Sequence, residues 1–353
     1  MYIQKYFKYK TKYLELKSKL DMNNKTTNNI DSYTNPNDKS IVITNDNIIL
    51  QPVPSRSKRK IEFYFPEISI ASVQYNEGPT GCTYIRFNVD KVNYYMDSRG
   101  GSVTTIGTDN SRYNNSIRGI CFAGGSVIGL EAITGCTMEE MKKINYTNHS
   151  KCNIVGAMLR SANLDYNYIY PDKNLGRFAV NNLIPYPFND KNNNNECISN
   201  IVYLGQVGVG CMAGDGFYGQ GAYFKEYKGI KIFALAGVNA LGAIYNDKGE
   251  LLKNRWVESN EKSPYVSLDG NTTLTTIITD LSLDTAELKQ LAVQCHTNMA
   301  VNIRPFHTIG DGDVLFSVTL NKINRKYIEN FSILEFFDVC SKCTNSAVLN
   351  CFD

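Results

Sequence analysis

Apolar positions follow three regimes along the 353 residues. Near the start, Tyr2, Tyr6, Tyr9, Tyr13, Leu16 and Leu20 recur at alternating steps of four and three. That spacing puts them on one side of a helix with lysines elsewhere, predicting a basic amphipathic leader over 1–21. It reads either as an address or docking helix, or as a short, marginally stable helix with a solvated basic face. Residues 22–57 are rich in Asn, Thr, Asp, Ser and Pro and carry almost no apolar period before Ile41, the composition of a disordered linker. From residue 58 onward, strand-like apolar runs alternate with glycine-dense turns, predicting a single domain over 58–353.

Within that domain, the run from Ile120 leads into Gly124-Gly125-Ser126 and then a helical pattern through Lys143, a strand–turn–helix signature. Ile230 to Ile244 is nearly continuous apolar sequence, as in a strand buried on both faces, interrupted by Asn239. The turn Asp269-Gly270-Asn271 precedes a β-branched strand from Thr272, a helical pattern runs from Ser282 to Val301, and Val314 to Leu320 reads as another strand. Cys340, Cys343, Ala347 and Cys351 share the inner face of a terminal helix. The four asparagines of Asn192–Asn195 lie in a surface loop, Asn189–Glu196.

With 42% hydrophobic and 20% charged residues, the composition is that of a globular protein. No run of about 18 apolar residues predicts a membrane-spanning helix, and the start lacks the apolar stretch of a secretory signal. The ten cysteines are scattered and read as reduced, buried thiols. The net charge of +3 conceals an asymmetry, because residues 1–20 hold six lysines against Glu15, and Arg56, Lys58, Arg59 and Lys60 form a second basic run. The body is therefore mildly acidic, which argues against a nucleic-acid-binding face there.

Several motifs invite chemistry. Gly124-Gly125-Ser126 lies at a predicted helix start, where backbone N–H groups can bind an oxyanion or a substrate loop can form. It nearly matches the nucleophile elbow G-x-S-x-G, but Ser126 to Gly129 is one residue too long, and a helix-capping Ser126 is the simpler reading. Gly208, Gly210 and Ala213 imitate a dinucleotide fingerprint. The glycines of Gly214 to Gly221 forbid the helix that motif needs, so tight backbone packing around a loop is expected instead. Asn239 is either a structural amide or a donor to developing negative charge. A zinc site from Cys340, Cys343 and Cys351 lacks a fourth ligand. His296 and His307 read as structural.

Taken in order, Arg99-Gly-Gly, Ala123-Gly-Gly-Ser-Val-Ile-Gly-Leu130, Gly205-Gln-Val-Gly-Val-Gly210, Val238-Asn-Ala-Leu-Gly242, Asn271-Thr-Thr-Leu274 with Thr279-Asp280, and Asp311-Gly-Asp313 resemble the P1 peptidases, the self-processing L-aminopeptidase/D-esterase (DmpA-like) and β-aminopeptidase family. The resemblance runs from about Ile61 to Leu349. It implies an α+β fold, a four-layer α/β/β/α sandwich of the DmpA/Ntn-like type. It also implies self-cleavage between Asn271 and Thr272 into residues 1–271 and 272–353. Thr272 would then be an N-terminal nucleophile whose own α-amine serves as base, an arrangement known to activate threonine. Asn239 would be the oxyanion donor, with Asp313 and Asp311 orienting amine or nucleophile. The implied activity is release of N-terminal residues from small peptides, amides or esters by a cytoplasmic homo-oligomer, a tetramer of cleaved protomers, with no cofactor. The family pattern is broken at Val103-Thr104, near Asn153 and Gly156, and at Ser161, which puts the substrate pocket in question. The leader resembles Tyr/Lys-rich leaders on proteins of amoeba-infecting giant viruses, implying host cytoplasm or virion. The competing readings are a serine hydrolase using Ser126 with His296 or His307, which would leave the chain uncut, and an inactive member with a structural role.

Overall fold

The computed structural model describes residues 42–90, 92–108, 116–148, 152–160, 167–184, 199–254 and 271–352. The leader, the linker up to residue 41, the loop Asn189–Glu196, Ser161 and the turn residues Asp269 and Gly270 lie outside the described residues.

In chain order, β1 (Pro52–Pro54), β2 (Lys60–Phe63), β3 (Ile68–Tyr75), β4 (Thr80–Phe87), β5 (Asn93–Ser98), β6 (Thr105–Ile106) and β7 (Gly119–Ala123) precede helix α1 (Glu131–Lys143). Then come β8 (Ile154–Met158), helix α2 (Lys173–Asn181), β9 (Asn200–Tyr203), β10 (Gly219–Tyr227), β11 (Ile230–Asn239), β12 (Ala243–Tyr245) and β13 (Leu251–Lys253). The last part holds β14 (Thr272–Leu281), helix α3 (Thr285–Asn298), β15 (Ile303–Arg304), β16 (Val314–Ile323) and helix α4 (Ile333–Leu349). One sheet has the order β1-β3-β4-β7-β8-β6 and the other β10-β11-β14-β16-β5. Each contains one parallel pair, β7 with β8 and β14 with β16, joined through α1 and α3 respectively.

The side-chain alternation of the strands builds the layers. In the first sheet Ala71, Val73, Cys82, Tyr84, Cys121 and Ala123 face outward onto Ala132, Ile133 and Cys136 of α1 and Leu175 and Ala179 of α2. Their neighbours Ile70, Ile85, Phe87, Ile120 and Phe122 face inward onto the second sheet, where the Phe122 ring lies 5.9 Å from that of Phe316. The second sheet carries α3 and α4 on its far side, through Leu288, Leu291, Cys295, Phe336, Cys340, Cys343 and Ala347. The result is helix, sheet, sheet, helix. The C-terminal cysteines are core residues, as the helical spacing implies.

The helix expected over Ser282–Val301 spans Thr285–Asn298, with Asp284 and Glu287 forming a reciprocal capping box. Two expectations are corrected. The body begins well before residue 58: Ile43 bridges Asn167, β1 pairs antiparallel with β3, Ile43, Ile48 and Leu50 pack on the core, and buried Ser55 accepts from the Gly208 N–H at 3.1 Å. Proline is compatible with β1 because that strand is the sheet edge and has no second neighbour awaiting an N–H. Ser126 does not cap a helix. A 3-10 turn, Ser126–Leu130, separates it from α1, whose N-cap is Leu130 without a side-chain bond.

Candidate active site

Two long strands converge where the second sheet ends. β11 finishes at Asn239 and β14 begins at Thr272, and the antiparallel register sets these two residues opposite each other. On the other side, β16 starts at Val314, parallel to β14, and Asn271 bridges Asp311. Asn239, Asn271, Thr272, Asp311 and Asp313 are all buried. The β-branched run after Asn271 suits an extended strand walled in on both faces, and every residue of β14 is buried.

The Asn271 carbonyl oxygen receives two donors. The Thr272 hydroxyl lies 2.5 Å from it, and the Gly312 N–H reaches it at 2.9 Å. Gly312 has to be glycine for this approach. A Cβ there would sit 2.9 Å from Thr272 Oγ1 and 2.9 Å from the Ser102 carbonyl oxygen.

The acids flank this carbonyl. Asp313 Oδ1 accepts from the Thr273 N–H at 2.7 Å, while Oδ2 accepts from the His307 N–H at 3.1 Å and contacts His307 Nδ1 at 3.0 Å. Burial pushes the Asp313 carboxyl up to about 6, with the His307 hydrogen bond opposing that shift and the Asp311 charge adding to it. Asp311 Oδ2 accepts from both the N–H and the hydroxyl of Thr308, at 2.8 and 2.6 Å. Arg99-Gly100-Gly101 is the brace of this loop. Gly100 is left-handed at φ 88°, a Cβ on it would meet the Asp311 carbonyl oxygen at 2.4 Å, and the Arg99 N–H donates to the Asp313 carbonyl at 2.9 Å.

Asn239 Nδ2 donates to the Arg160 carbonyl, and its Oδ1 faces Gly214. Gly124, Gly125 and Ser126 join the site indirectly. The Ser126 N–H donates to the Leu159 carbonyl at 3.3 Å, and Leu159 adjoins Arg160. His296 Nδ1 contacts Asp97 at 2.9 Å and His307 Nδ1 contacts Asp313, and Nε2 of both rings is buried with no hydrogen-bond partner among the described residues, so neither ring is bonded to Ser126. The elbow-type hydrolase has no geometry here. His307, read from sequence as structural, contacts a predicted site acid directly. The spacing of His307 and Asp313 was the only signal for it, and a six-residue gap alone does not define a contact.

The geometry brings together Thr272, Asn271, Asn239, Asp311 and Asp313: a hydroxyl against a carbonyl that already has a backbone donor, beside two buried acids and a side-chain amide. The profile of Peptidase family S58 matches residues 192–352, a span containing all of these residues. The chain is 31% identical over 305 residues to the 6-aminohexanoate-oligomer endohydrolase of Agromyces sp., covering 79% of this chain and 80% of that protein. The enzyme of the same name from Paenarthrobacter ureafaciens matches equally, at 31% over 79% and 80% of the two chains.

This chain belongs to peptidase family S58.

The solved structures agree on the fold of this family S58 protein. The L-aminopeptidase D-Ala-esterase/amidase of Ochrobactrum anthropi, described as a variant of the Ntn hydrolase fold, superposes with a TM-score of 0.58 at 16% identity, over 81% of this chain and 83% of its own. A Burkholderia sp. β-aminopeptidase superposes with 0.59 at 14% identity, over 81% and 84%. The expected α+β fold of the DmpA type is therefore established, and the family match with the 31%-identical relatives makes the protein a peptide-bond hydrolase. Among the described residues no helix is long and apolar enough to cross a membrane.

Proposed function

We propose that this S58 protein cuts its own chain between Asn271 and Thr272 and then uses Thr272 as an N-terminal nucleophile against amides or esters of small peptides and amino-acid oligomers. The observation that carries the reading is the shared oxygen: Thr272 Oγ1 and the Gly312 N–H converge on the carbonyl of Asn271, buried at the start of β14. Oγ1 attacks the Asn271 carbonyl carbon through a five-membered ring, and the negative charge developing on oxygen meets the Gly312 N–H. The C–N bond breaks, the hydroxyl proton passes to the departing amine, and Asn271 is left as an ester on Thr272. Water hydrolyses that ester, giving residues 1–271 ending in a carboxylate and 272–353 beginning with a free amine.

The new amine has a reference pKa of about 7.7–8.0, suited to accept the Thr272 hydroxyl proton when an external amide arrives. Asn239, opposite Thr272 in the ladder, serves as oxyanion donor for that second reaction, and Asp313 and Asp311 order the amine and hydroxyl. The named aminopeptidase neighbours support release of N-terminal residues. The two 31%-identical 6-aminohexanoate-oligomer endohydrolases support internal amide bonds of such oligomers as a second reading of the substrate. The cleaved protomers assemble as a homo-oligomer, a tetramer, working in host cytoplasm or a virion; the Tyr/Lys leader motivates that location.

Mass spectrometry of the purified protein decides the first step: fragments 1–271 and 272–353 are expected, and Thr272→Ala should stay whole. An intact chain that hydrolyses peptides overturns the mechanism. Product analysis on aminoacyl amides and on 6-aminohexanoate oligomers separates end-on from internal attack. Light scattering that finds a single protomer refutes the tetramer.

A further inference from the structure

We propose that His307 is a positioning residue, one that holds the Asp313 carboxylate against the first turn of β14 and keeps it aligned with the nucleophile. The inference rests on the Thr272 reading above. Asp313 is completely buried, and its two oxygens face different partners: Oδ1 the Thr273 N–H, one residue past the nucleophile, and Oδ2 His307, through both backbone N–H and ring Nδ1. An ionised carboxylate only accepts, so Nδ1 carries the ring proton in the neutral imidazole. Among the described residues the buried His307 Nε2 has no hydrogen-bond partner, so no competing donor or acceptor there pulls the ring round.

The ring is clamped. It stacks on Phe306 with centroids 3.8 Å apart and meets the His296 ring edge-on at 4.4 Å. The His307 backbone is left-handed at φ 61°, uncommon for a residue with a Cβ, and that conformation is what aims its N–H and its ring at the same carboxylate oxygen. The charged groups facing the pair are accounted for. His296 on α3 is tied to Asp97, Asp97 to Arg99 Nε at 2.7 Å, and Asp311 is held by Thr308. Removing the His307 ring therefore takes from Asp313 its only side-chain donor among the described residues, destabilises the ionised form and lets the carboxylate turn.

The test needs no substrate. Precursor made in a brief cell-free translation pulse is shifted to buffers from pH 5 to 9, and the rate of self-cleavage is followed for wild type, His307→Ala and His307→Asn. The Ala variant should cleave about 10- to 100-fold more slowly, the size expected for one hydrogen bond to a buried charge, with its acid limb moved to higher pH. The Asn variant, whose amide can place an N–H where Nδ1 stood, should recover most of the rate. The chain has three histidines, so 15N NMR of the Thr272→Ala precursor can read the tautomer directly. A His307 proton on Nδ1, with its signal changed by Asp313→Asn, is expected. An Nε2-protonated His307, or Ala and Asn variants that match wild type in rate and pH profile, overturns the proposal, and so does an Asn variant as impaired as Ala. Wild type that never cleaves sinks the Thr272 reading itself; wild type that cleaves while His307→Ala is unaffected sinks only this inference.

Discussion

Gly312→Ala is the sharpest perturbation of the self-cleavage geometry. The added methyl would stand 2.9 Å from Thr272 Oγ1 and 2.9 Å from the Ser102 carbonyl oxygen. Ordinary carbon–oxygen contact begins near 3.4 Å, so the strand start and the 311–313 turn must part by about half an ångström. That movement lengthens the 2.9 Å bond from the Gly312 N–H to the Asn271 oxygen and displaces the attacking hydroxyl. Loss of one oxyanion donor costs on the order of 100- to 1000-fold in rate, about 2.7–4 kcal/mol. The intact-to-cleaved ratio, followed by mass spectrometry after synthesis, should show self-cleavage slowed by that amount, while the thermal transition stays cooperative. A folded Gly312→Ala chain that cuts itself at the wild-type rate would refute the assignment of this N–H to the oxyanion that develops on the Asn271 carbonyl.

The other predictions follow from the same contacts. Thr272→Ser should retain some cleavage and hydrolysis, since hydroxyl and amine survive, and a fully inert Ser variant would count against the nucleophile assignment. Asn239→Ala should slow hydrolysis by the processed enzyme by on the order of 100- to 1000-fold, but self-cleavage much less, because the Asn271 oxygen is held by Gly312 and Thr272; equal losses in both reactions would argue against separate donors. In a Thr272→Ala background, Asp313→Asn should gain stability relative to Asp313 as pH rises from about 4 to about 6. The folded carboxyl near 6 lies above its unfolded value of about 3.9, so wild-type stability is fully present below 3.9 and is lost through 6, by up to about 3 kcal/mol; chemical denaturation across that range gives the sign. Deleting residues 1–41 should leave the fold intact, whereas deletion through residue 57 should cost on the order of 3 kcal/mol or more, as β1 and the Ile43, Ile48 and Leu50 contacts go; equal melting curves for the two truncations would contradict this.

The strands at the site were legible because their pattern is strong. An apolar run ending in Asn239 and a β-branched run starting at Thr272 each announce a strand, and only their pairing, Asn239 opposite Thr272, required the fold. The family resemblance located Asp311 and Asp313, which periodicity could not, since both lie in a turn outside any regular element. The contacts around them were hidden for a physical reason. His307 reaches Asp313 through a left-handed residue, and Gly312 reaches Asn271 through a backbone N–H; neither a positive φ on a histidine nor a backbone donor leaves a mark in side-chain pattern. The linker boundary misled because Pro52 and Pro54 read as disorder, although an edge strand accepts them. Ser126 misled because a Gly-Gly-Ser turn suits a cap or a nucleophile equally, and here it begins a 3-10 turn instead.

The placement of two acids beside a bond that is to be cut has an electrostatic consequence under the proposed mechanism. Before cleavage the site holds a neutral peptide between the acids, and the Asn271 oxygen is satisfied by Gly312 and Thr272. Cleavage turns that oxygen into part of a carboxylate, with a reference pKa of about 3.3–3.7 and so fully charged near neutrality. Asn271 bridges Asp311, so the new charge forms on the strand neighbour of a buried acid. Like charges brought close together in a desolvated site repel. Asp313, whose carboxylate accepts from the Thr273 N–H two residues on, adds to the penalty when ionised. The Thr272 amine formed in the same step has the opposite preference, because both acids attract its ammonium form. One bond cleavage therefore creates an end that the acids expel and an end that they retain. The Gly312 N–H and the Thr272 hydroxyl are thereby freed from Asn271 and become available to a substrate carbonyl. The same pair of buried acids thus favours vacating the site after processing and holding the new nucleophile in it.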